Sequence, residues 1–277
     1  MEERGFLEVP GGRLYYEADG DGPPLVLVHA GVANLRQWDP HVPAWSAHYR
    51  VVRYDTRGFG QSETEHVEFT NRDDVEAVLD FIGTEKAHLV GHSRSGSIVT
   101  DFAVTHPDRV RSLTVVAGGL GGYKADVSDE AAATGEAMEK ASEASYEAKD
   151  WRRLADLEAD YWVDGPGQPA GRADPAVRAS VYEWVYTTYA AEKDEGIPQR
   201  LDPPAATRLD QITFPLLVVI GALDEAHTNA SMRHLASQVP GSQLEVLEGS
   251  GHMLTLEQPK RFTQLVLDFL AGVDAGR

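Results

Sequence analysis

The 277-residue chain contains no cysteine, which excludes a disulfide framework and any thiolate metal site and fits a reducing compartment. Long hydrophobic runs are missing too. The longest, FPLLVVIGAL at 214–223, is half of the ~20 residues needed to cross a bilayer. The opening MEERGFLEVP has no basic n-region and no apolar h-region, so no secretory signal is read. Positive charge is scarce: 25 Lys and Arg against 44 Asp and Glu leave a net charge of −19, which repels phosphate backbones and anionic lipid surfaces. No two histidines stand at metal-ligand spacing beside carboxylates, so no catalytic metal is expected. The resulting expectation is a soluble, cytoplasmic protein that binds neither nucleic acid nor membrane, its charge serving solubility.

With 42% hydrophobic residues the chain is long enough for one large folding unit carrying an insertion. FLEV and RLYYEA, separated by Pro-Gly-Gly, read as an edge hairpin. Buried runs then alternate with helical spacing: LVLVH (25–29), VVRYD (51–55), HLVGH (88–92), SLTVVAG (112–118), PLLVVIG (215–221) and LEVLEG (244–249). Consecutive apolar positions suit strands covered on both faces. Val75, Val78, Leu79 and Ile82 lie on one helical face, with a Thr70/Asp73 cap before them and Gly83 as a stop. Phe262, Leu265, Val266, Phe269 and Leu270 repeat that spacing after Pro259. The fold class read from this alternation is α/β: a mostly parallel eight-stranded sheet with helices on both faces.

The strand signal stops between Gly119 and about Thr207. Ala/Glu-rich and amphipathic segments replace it, which predicts a helical cap over 120–207 inserted into a core made of 1–119 and 208–277. Residues 120–207 hold three of the five Trp and six of the ten Tyr but none of the eight Phe. Every aromatic there therefore pairs an apolar body with a polar tip, as the roof of a ligand cavity would. Trp162, Trp184 and Tyr186 are the expected lining.

The segment LVGHSRSGS (89–97) ends a buried strand on Ser93 and starts a helix at once. In a parallel sheet, catalytic groups gather at the carboxyl ends of strands. A hydroxyl there stands at a helix N-terminus, where free N–H groups favour developing negative charge. Bulky groups at Gly91 or Ser95 would collide with the neighbouring strand or helix. The pattern resembles the nucleophile elbow of the α/β-hydrolase fold, usually GxSxG, with Ser95 in place of the last Gly.

That resemblance implies a Ser, acid, His order. Asp224, just past the strand ending in GALD, is the acid, with Glu225 as runner-up. His252, in the Gly-flanked loop GSGHM, is the base, ahead of His227 and His234. The oxyanion donors are the Arg94 amide and, from HAGVA, which is similar to the family's His-Gly-x loop with Ala30 replacing the Gly, the Gly31 amide. Val32 is the reserve donor and a substrate contact. The Arg94 side chain faces either a substrate carboxylate or a cap acid, and the 18 acids against 9 bases in 120–207 favour the cap acid. YDTRGFGQS (54–62) resembles the family's DxRGxGxS turn, in which Asp55 and Arg57 hydrogen-bond loop backbone. His29, His88 and His92 read as packed core histidines.

Together these motifs resemble the lid-bearing serine hydrolases of the α/β-hydrolase superfamily. The resemblance implies cleavage of a small-molecule carboxylic ester or lactone through an acyl-enzyme, without a cofactor. Alternatives are a cofactor-free haloperoxidase or perhydrolase, a carbon–carbon bond hydrolase, or a non-turnover receptor. A Ser at the elbow excludes the family's Asp-nucleophile chemistries. A homodimer is left open.

Overall fold

The computed structural model describes residues 3–276. Its chain runs β1 (Glu3–Val9), β2 (Gly12–Asp19), β3 (Pro24–Val28), α1 (Val42–Trp45), β4 (Arg50–Tyr54), α2 (Asn71–Phe81), β5 (Ala87–His92), α3 (Arg94–Thr105) and β6 (Val110–Val116). Three helices follow, α4 (Asp129–Glu147), α5 (Trp151–Ala159) and α6 (Pro175–Ala190), and the chain closes with β7 (Leu216–Gly221), α7 (Ala226–Gln238), β8 (Gln243–Leu247), α8 (Leu254–Glu257) and α9 (Pro259–Asp274). The eight strands lie in the order β1-β2-β4-β3-β5-β6-β7-β8, with the short segment Glu63–Thr64 added to β2. β1 and β2 are the antiparallel edge; every pairing from β4 to β8 is parallel.

The hairpin turns where Val9 pairs with Gly12. Pro10 presets its own φ, and Gly11 takes φ +70°, a conformation that an L side chain avoids. The inner parallel strands are apolar at consecutive positions because both faces are covered, whereas β8, expected as a buried run, lies at the sheet edge and is only partly buried. In β3, Val26 and Val28 join α2, α3 and α7 on one side, while Leu25 and Leu27 join α1 and α9 on the other. The same alternation places Val218 and Ile220 against Met232 and Leu235, and Leu217 and Val219 against the Phe262 side. Trp38, Trp45 and Phe262 are all fully buried there, each contributing about 2–3 kcal/mol.

Local signals set the helix ends. The Thr70 hydroxyl accepts from the Asp73 amide at 3.1 Å to start α2, and Gly83 at φ +69° follows its end. Between β6 and β7, α5 and α6 pack around Leu154, Ala155, Ala159, Val163, Val177, Val181 and Val185, and α4 lies against α5. That cluster also takes in Ala30, Ala33 and Met253 from the loops above the sheet, so the inserted helices sit over the carboxyl ends of β3 and β8. Among the described residues, no helix is long and apolar enough to cross a membrane.

The turn after β4 behaves as a structural brace. Asp55 accepts from the amides of Leu35 and Gln61, both at 2.8 Å, and burial raises its pKa to about 6. Gly60 is forced: its φ is +50°, and a Cβ there would lie 2.0 Å from the Asp55 carboxylate. Arg57 donates to the carbonyls of Pro10 and Gly11 at 2.9 and 3.2 Å. It also pairs with buried Asp74 at 2.8 Å, a contact that the sequence reading did not foresee.

Candidate active site

β5 ends in the middle of the sheet, and the next residue changes direction. The Ser93 amide donates to the Val116 carbonyl of β6 at 2.8 Å, and its own backbone adopts φ 57°, ψ −122°. A non-glycine residue there carries about 1–3 kcal/mol of strain, held by the surrounding structure. α3 begins immediately, so Ser93 sits at a helix N-terminus. Gly91 is forced because a Cβ would lie 2.3 Å from the Ser95 carbonyl oxygen and 2.5 Å from Val99 Cγ2. The obstruction is thus the following helix. Gly96 abuts Gly118, where a Cβ would come within 2.8 Å of Cα. Ser95 is buried, and its hydroxyl donates to the His29 carbonyl at 2.5 Å. The hydroxyl that replaces the usual glycine therefore ties the elbow to the loop after β3.

This crowding gives a stability test. Gly91→Ala is expected to cost about 3 kcal/mol, because the clash is with backbone that cannot swing away. Gly272→Ala in α9, where a Cβ meets nothing within 4 Å, is expected to add ~0.5–1 kcal/mol. Urea denaturation of both variants checks the contrast.

Three loops converge beside the elbow. His252 Nε2 lies 2.7 Å from Ser93 Oγ, and its Nδ1 lies 2.9 Å from both carboxylate oxygens of Asp224. The His252 and Asp224 side chains are 3% and 1% exposed. An ionised carboxylate only accepts, so the proton belongs on Nδ1, which leaves the Nε2 lone pair facing the Ser93 hydroxyl. The loops are stitched together: the Leu223 amide donates to the Ser250 carbonyl at 2.9 Å. Gly221 permits the approach, since a Cβ there would lie 2.1 Å from the Gly251 oxygen. Glu225 does not bond His252: its amide donates to Asp224 Oδ1 at 2.7 Å, and its carboxylate accepts from Thr228 and borders the cavity that Trp162 lines. His234 stacks on Tyr123 at 4.0 Å, and His227 lines a cavity among the inserted helices.

The Arg94 amide is the first of α3, and the Gly31 and Val32 amides lie inside a turn closed by Ala33 N–H to the Ala30 carbonyl at 3.1 Å. Among the described residues, none of the three has a backbone acceptor. Free donors next to the hydroxyl can meet an oxyanion, and the geometry admits either Gly31 or Val32 as the second.

The histidines read as packed core residues are wholly buried, and two of them also shape the site. Burial pushes His29 down to about 3, so it is neutral; it bonds the Ala30 carbonyl at 2.7 Å and accepts from the Thr56 amide at 3.0 Å. Burial likewise holds His92 well below the usual histidine range. Its Nε2 donates to the His252 carbonyl at 2.9 Å, and its Nδ1 accepts from Gln37 at 2.6 Å. Gln37 in turn accepts from the Ala30 amide at 3.0 Å. Buried Gln37 thus links the turn after β3, the elbow strand and the His252 loop. Sequence reasoning missed it, because a single polar residue in a short helical turn carries no local signal of burial.

Above the site, the Trp162 ring lies 4.4 Å from the His252 ring, and its Nε1 donates to Glu158 at 2.6 Å. Trp162 also borders a cavity of about 790 Å³ among the inserted helices, where Tyr146, Tyr161 and Tyr189 join Glu136, Glu139, Glu143, Glu158 and Glu225. Trp184 and Tyr186 are not part of it. They are half-buried against the apolar cluster of the inserted helices, as is Val32. The reason is helical phase: Val177, Val181 and Val185 mark the inward face of α6, and Tyr189 continues it at the next i+4 step. Arg172 ties this region to the His252 loop, bonding Glu257 at 2.7 Å and the Val163 and Gly249 carbonyls at 2.6 and 2.8 Å. Among the described residues, no cluster of three His, Cys, Asp or Glu side chains is arranged to hold a metal.

Comparison with known proteins agrees with this architecture. Residues 23–259 match the family model described as alpha/beta hydrolase fold. The chain is 27% identical over 271 residues to the carboxylesterase YbfK of Bacillus subtilis, covering 94% of this chain and 85% of that protein. It is 29% identical over 264 residues to a 2-hydroxymuconate semialdehyde hydrolase of a Pseudomonas species, covering 92% and 89%. The solved enol-lactonase from Burkholderia xenovorans superposes with a TM-score of 0.75 at 25% identity, covering 96% of this chain and all of that one. A match over most of the chain, on a sheet of this order with the elbow after its central strand, means that the protein belongs to the α/β hydrolase fold family.

Proposed function

We propose that the protein hydrolyses a small-molecule carboxylic ester or lactone by acyl transfer through Ser93. The observation that carries this reading is the unbroken line from Ser93 Oγ through the His252 imidazole to Asp224, at 2.7 and 2.9 Å. Ser93 Oγ attacks the carbonyl carbon while its proton passes to His252 Nε2, and Asp224 stabilises the resulting imidazolium. The Arg94 amide and the Gly31 amide receive the tetrahedral oxyanion, each donor contributing about 3 kcal/mol to lowering the barrier. Collapse expels the alkoxide, which takes the proton back from His252. Water then attacks the acyl-enzyme, again giving a proton to His252, and the carboxylic acid leaves as Ser93 recovers its own. In this reading residues 120–207 act as a cap over the site. The carboxylesterase and enol-lactonase relatives support this class of substrate.

Rapid mixing with p-nitrophenyl acetate, together with a panel of lactones, tests it. The expected result is a burst of one equivalent of p-nitrophenol followed by steady turnover, with an acetyl group recovered on the peptide containing Ser93. A burst without turnover would favour a ligand-capture protein, and acylation elsewhere would remove Ser93 as nucleophile.

A further inference from the structure

Arg94 stands beside the nucleophile with no carboxylate bonded to its side chain among the described residues. Other arginines drawn into the protein have one: Arg53 bonds Glu17 at 2.7 Å, Arg57 bonds Asp74 at 2.8 Å, and Arg172 bonds Glu257 at 2.7 Å. Arg94 donates Nη2 to the Thr56 hydroxyl at 2.5 Å and lies over the Phe59 ring at 4.8 Å. Its Nε is sealed from solvent and has no acceptor. Asp74, whose field reaches it, is already occupied by Arg57. Glu195, on the exposed segment after α6, also reaches it only through space. The ion pair with a cap acid expected from the sequence is therefore not formed among the described residues.

Desolvating a guanidinium without a partner is costly, and a site that does so is poised for an anion. The direction of the side chain says where. It runs along Gly31: a Cβ built on that glycine would lie 3.5 Å from Arg94 Cβ, 3.6 Å from Cδ and 3.9 Å from Nε. The stem and Nε of Arg94 thus pass beside Gly31, whose amide is one proposed oxyanion donor, and the amide of Arg94 itself is the other. A guanidinium presents a planar fork that matches a carboxylate bidentately. Long-range repulsion from the net charge of −19 is screened over roughly 8–10 Å of electrolyte, whereas a contact pair inside the site is not.

Resting on the Ser93 hydrolase reading, we propose that Arg94 binds a carboxylate carried by the substrate within a few carbons of the scissile carbonyl. The protein is then selective for anionic esters or lactones over neutral ones of the same shape.

Two ester pairs test this by proton release: ethyl hydrogen glutarate against ethyl hexanoate, and 3-acetoxypropanoate against butyl acetate. The native protein is expected to favour one anionic member at least about tenfold in kcat/KM, and the pair that responds tells whether the carboxylate sits on the acyl or the alcohol side. Arg94→Met is expected to lower that ratio about tenfold, with Arg94→Lys intermediate, since a point charge replaces a fork. Calorimetric binding of ethyl hydrogen glutarate and of 3-acetoxypropanoate to Ser93→Ala protein, with and without Arg94→Met, needs no turnover. A ratio near one in the native protein, or binding indifferent to Arg94, overturns the anion site and leaves the hydrolase reading standing. Arg94-dependent binding without Ser93-dependent turnover upholds the site and removes the hydrolase reading.

Discussion

Ser93→Ala lowers kcat/KM for an activated ester by a factor on the order of 10⁶, the scale seen when a triad nucleophile is deleted. The expectation follows from the geometry: His252 Nε2 has the Ser93 hydroxyl 2.7 Å away, and among the described residues no second hydroxyl bonds it. Rate remaining above the uncatalysed reaction, about 10³–10⁴-fold, would come from the amides and from binding. Folding stability changes little, because alanine keeps the same backbone strain and gives up a single partly exposed hydrogen bond. Ser93→Gly instead relieves the φ of 57° and is expected to raise stability by about 1–2 kcal/mol while remaining inactive. Steady-state kinetics and urea melts on the three proteins check both halves. An alanine variant at native rates would end the proposed assignment.

Asp224→Asn is expected to reduce kcat about 10⁴-fold with little change in fold. Both Asp224 oxygens lie 2.9 Å from His252 Nδ1. An amide of the same shape can turn its NH₂ toward that nitrogen, which drives the imidazole proton to Nε2 and removes the lone pair facing Ser93. The loss is thus one of tautomer and of charge, with the positions of the three loops preserved. Glu225→Gln, next door in sequence, is expected to cost less than about tenfold, since its carboxylate is spent on Thr228. Comparing kcat for the two variants decides between the adjacent acids, and a larger loss at 225 would reverse the choice.

How much of this was legible depends on the range of the interactions. The inner parallel strands were readable because burial on both faces writes a continuous apolar run, as in LVLVH and PLLVVIG, and the edge hairpin because of its Pro-Gly-Gly turn. The start of α2 was readable because the Thr70 hydroxyl accepts from the amide of Asp73, three residues on. At Gly91 the need for a small residue was foreseen, but its cause, the Ser95 carbonyl, lies one helical turn ahead. Ser95 looked like a tolerated departure from glycine; only the folded chain gives its hydroxyl the His29 carbonyl. Trp184 and Tyr186 were chosen as pocket residues by type, whereas the phase of Val177, Val181 and Val185 sends Tyr189 toward the cavity. That phase was present in the sequence and unused.

The sequence by itself determined the alternation of strands and helices, the sharp corner at residue 93, and an acid and an imidazole waiting at two later strand ends. Each of these is written within a few residues, by apolar spacing, small side chains and turn chemistry. Only the tertiary structure decided that Gln37 and His92 link the turn after β3, the elbow strand and the His252 loop, that Trp162 meets the imidazole, and that, among the described residues, no acid bonds the Arg94 side chain. Those facts depend on contacts between residues tens to hundreds of positions apart, where a side chain's partner is set by how the layers pack and leaves no periodic trace along the chain.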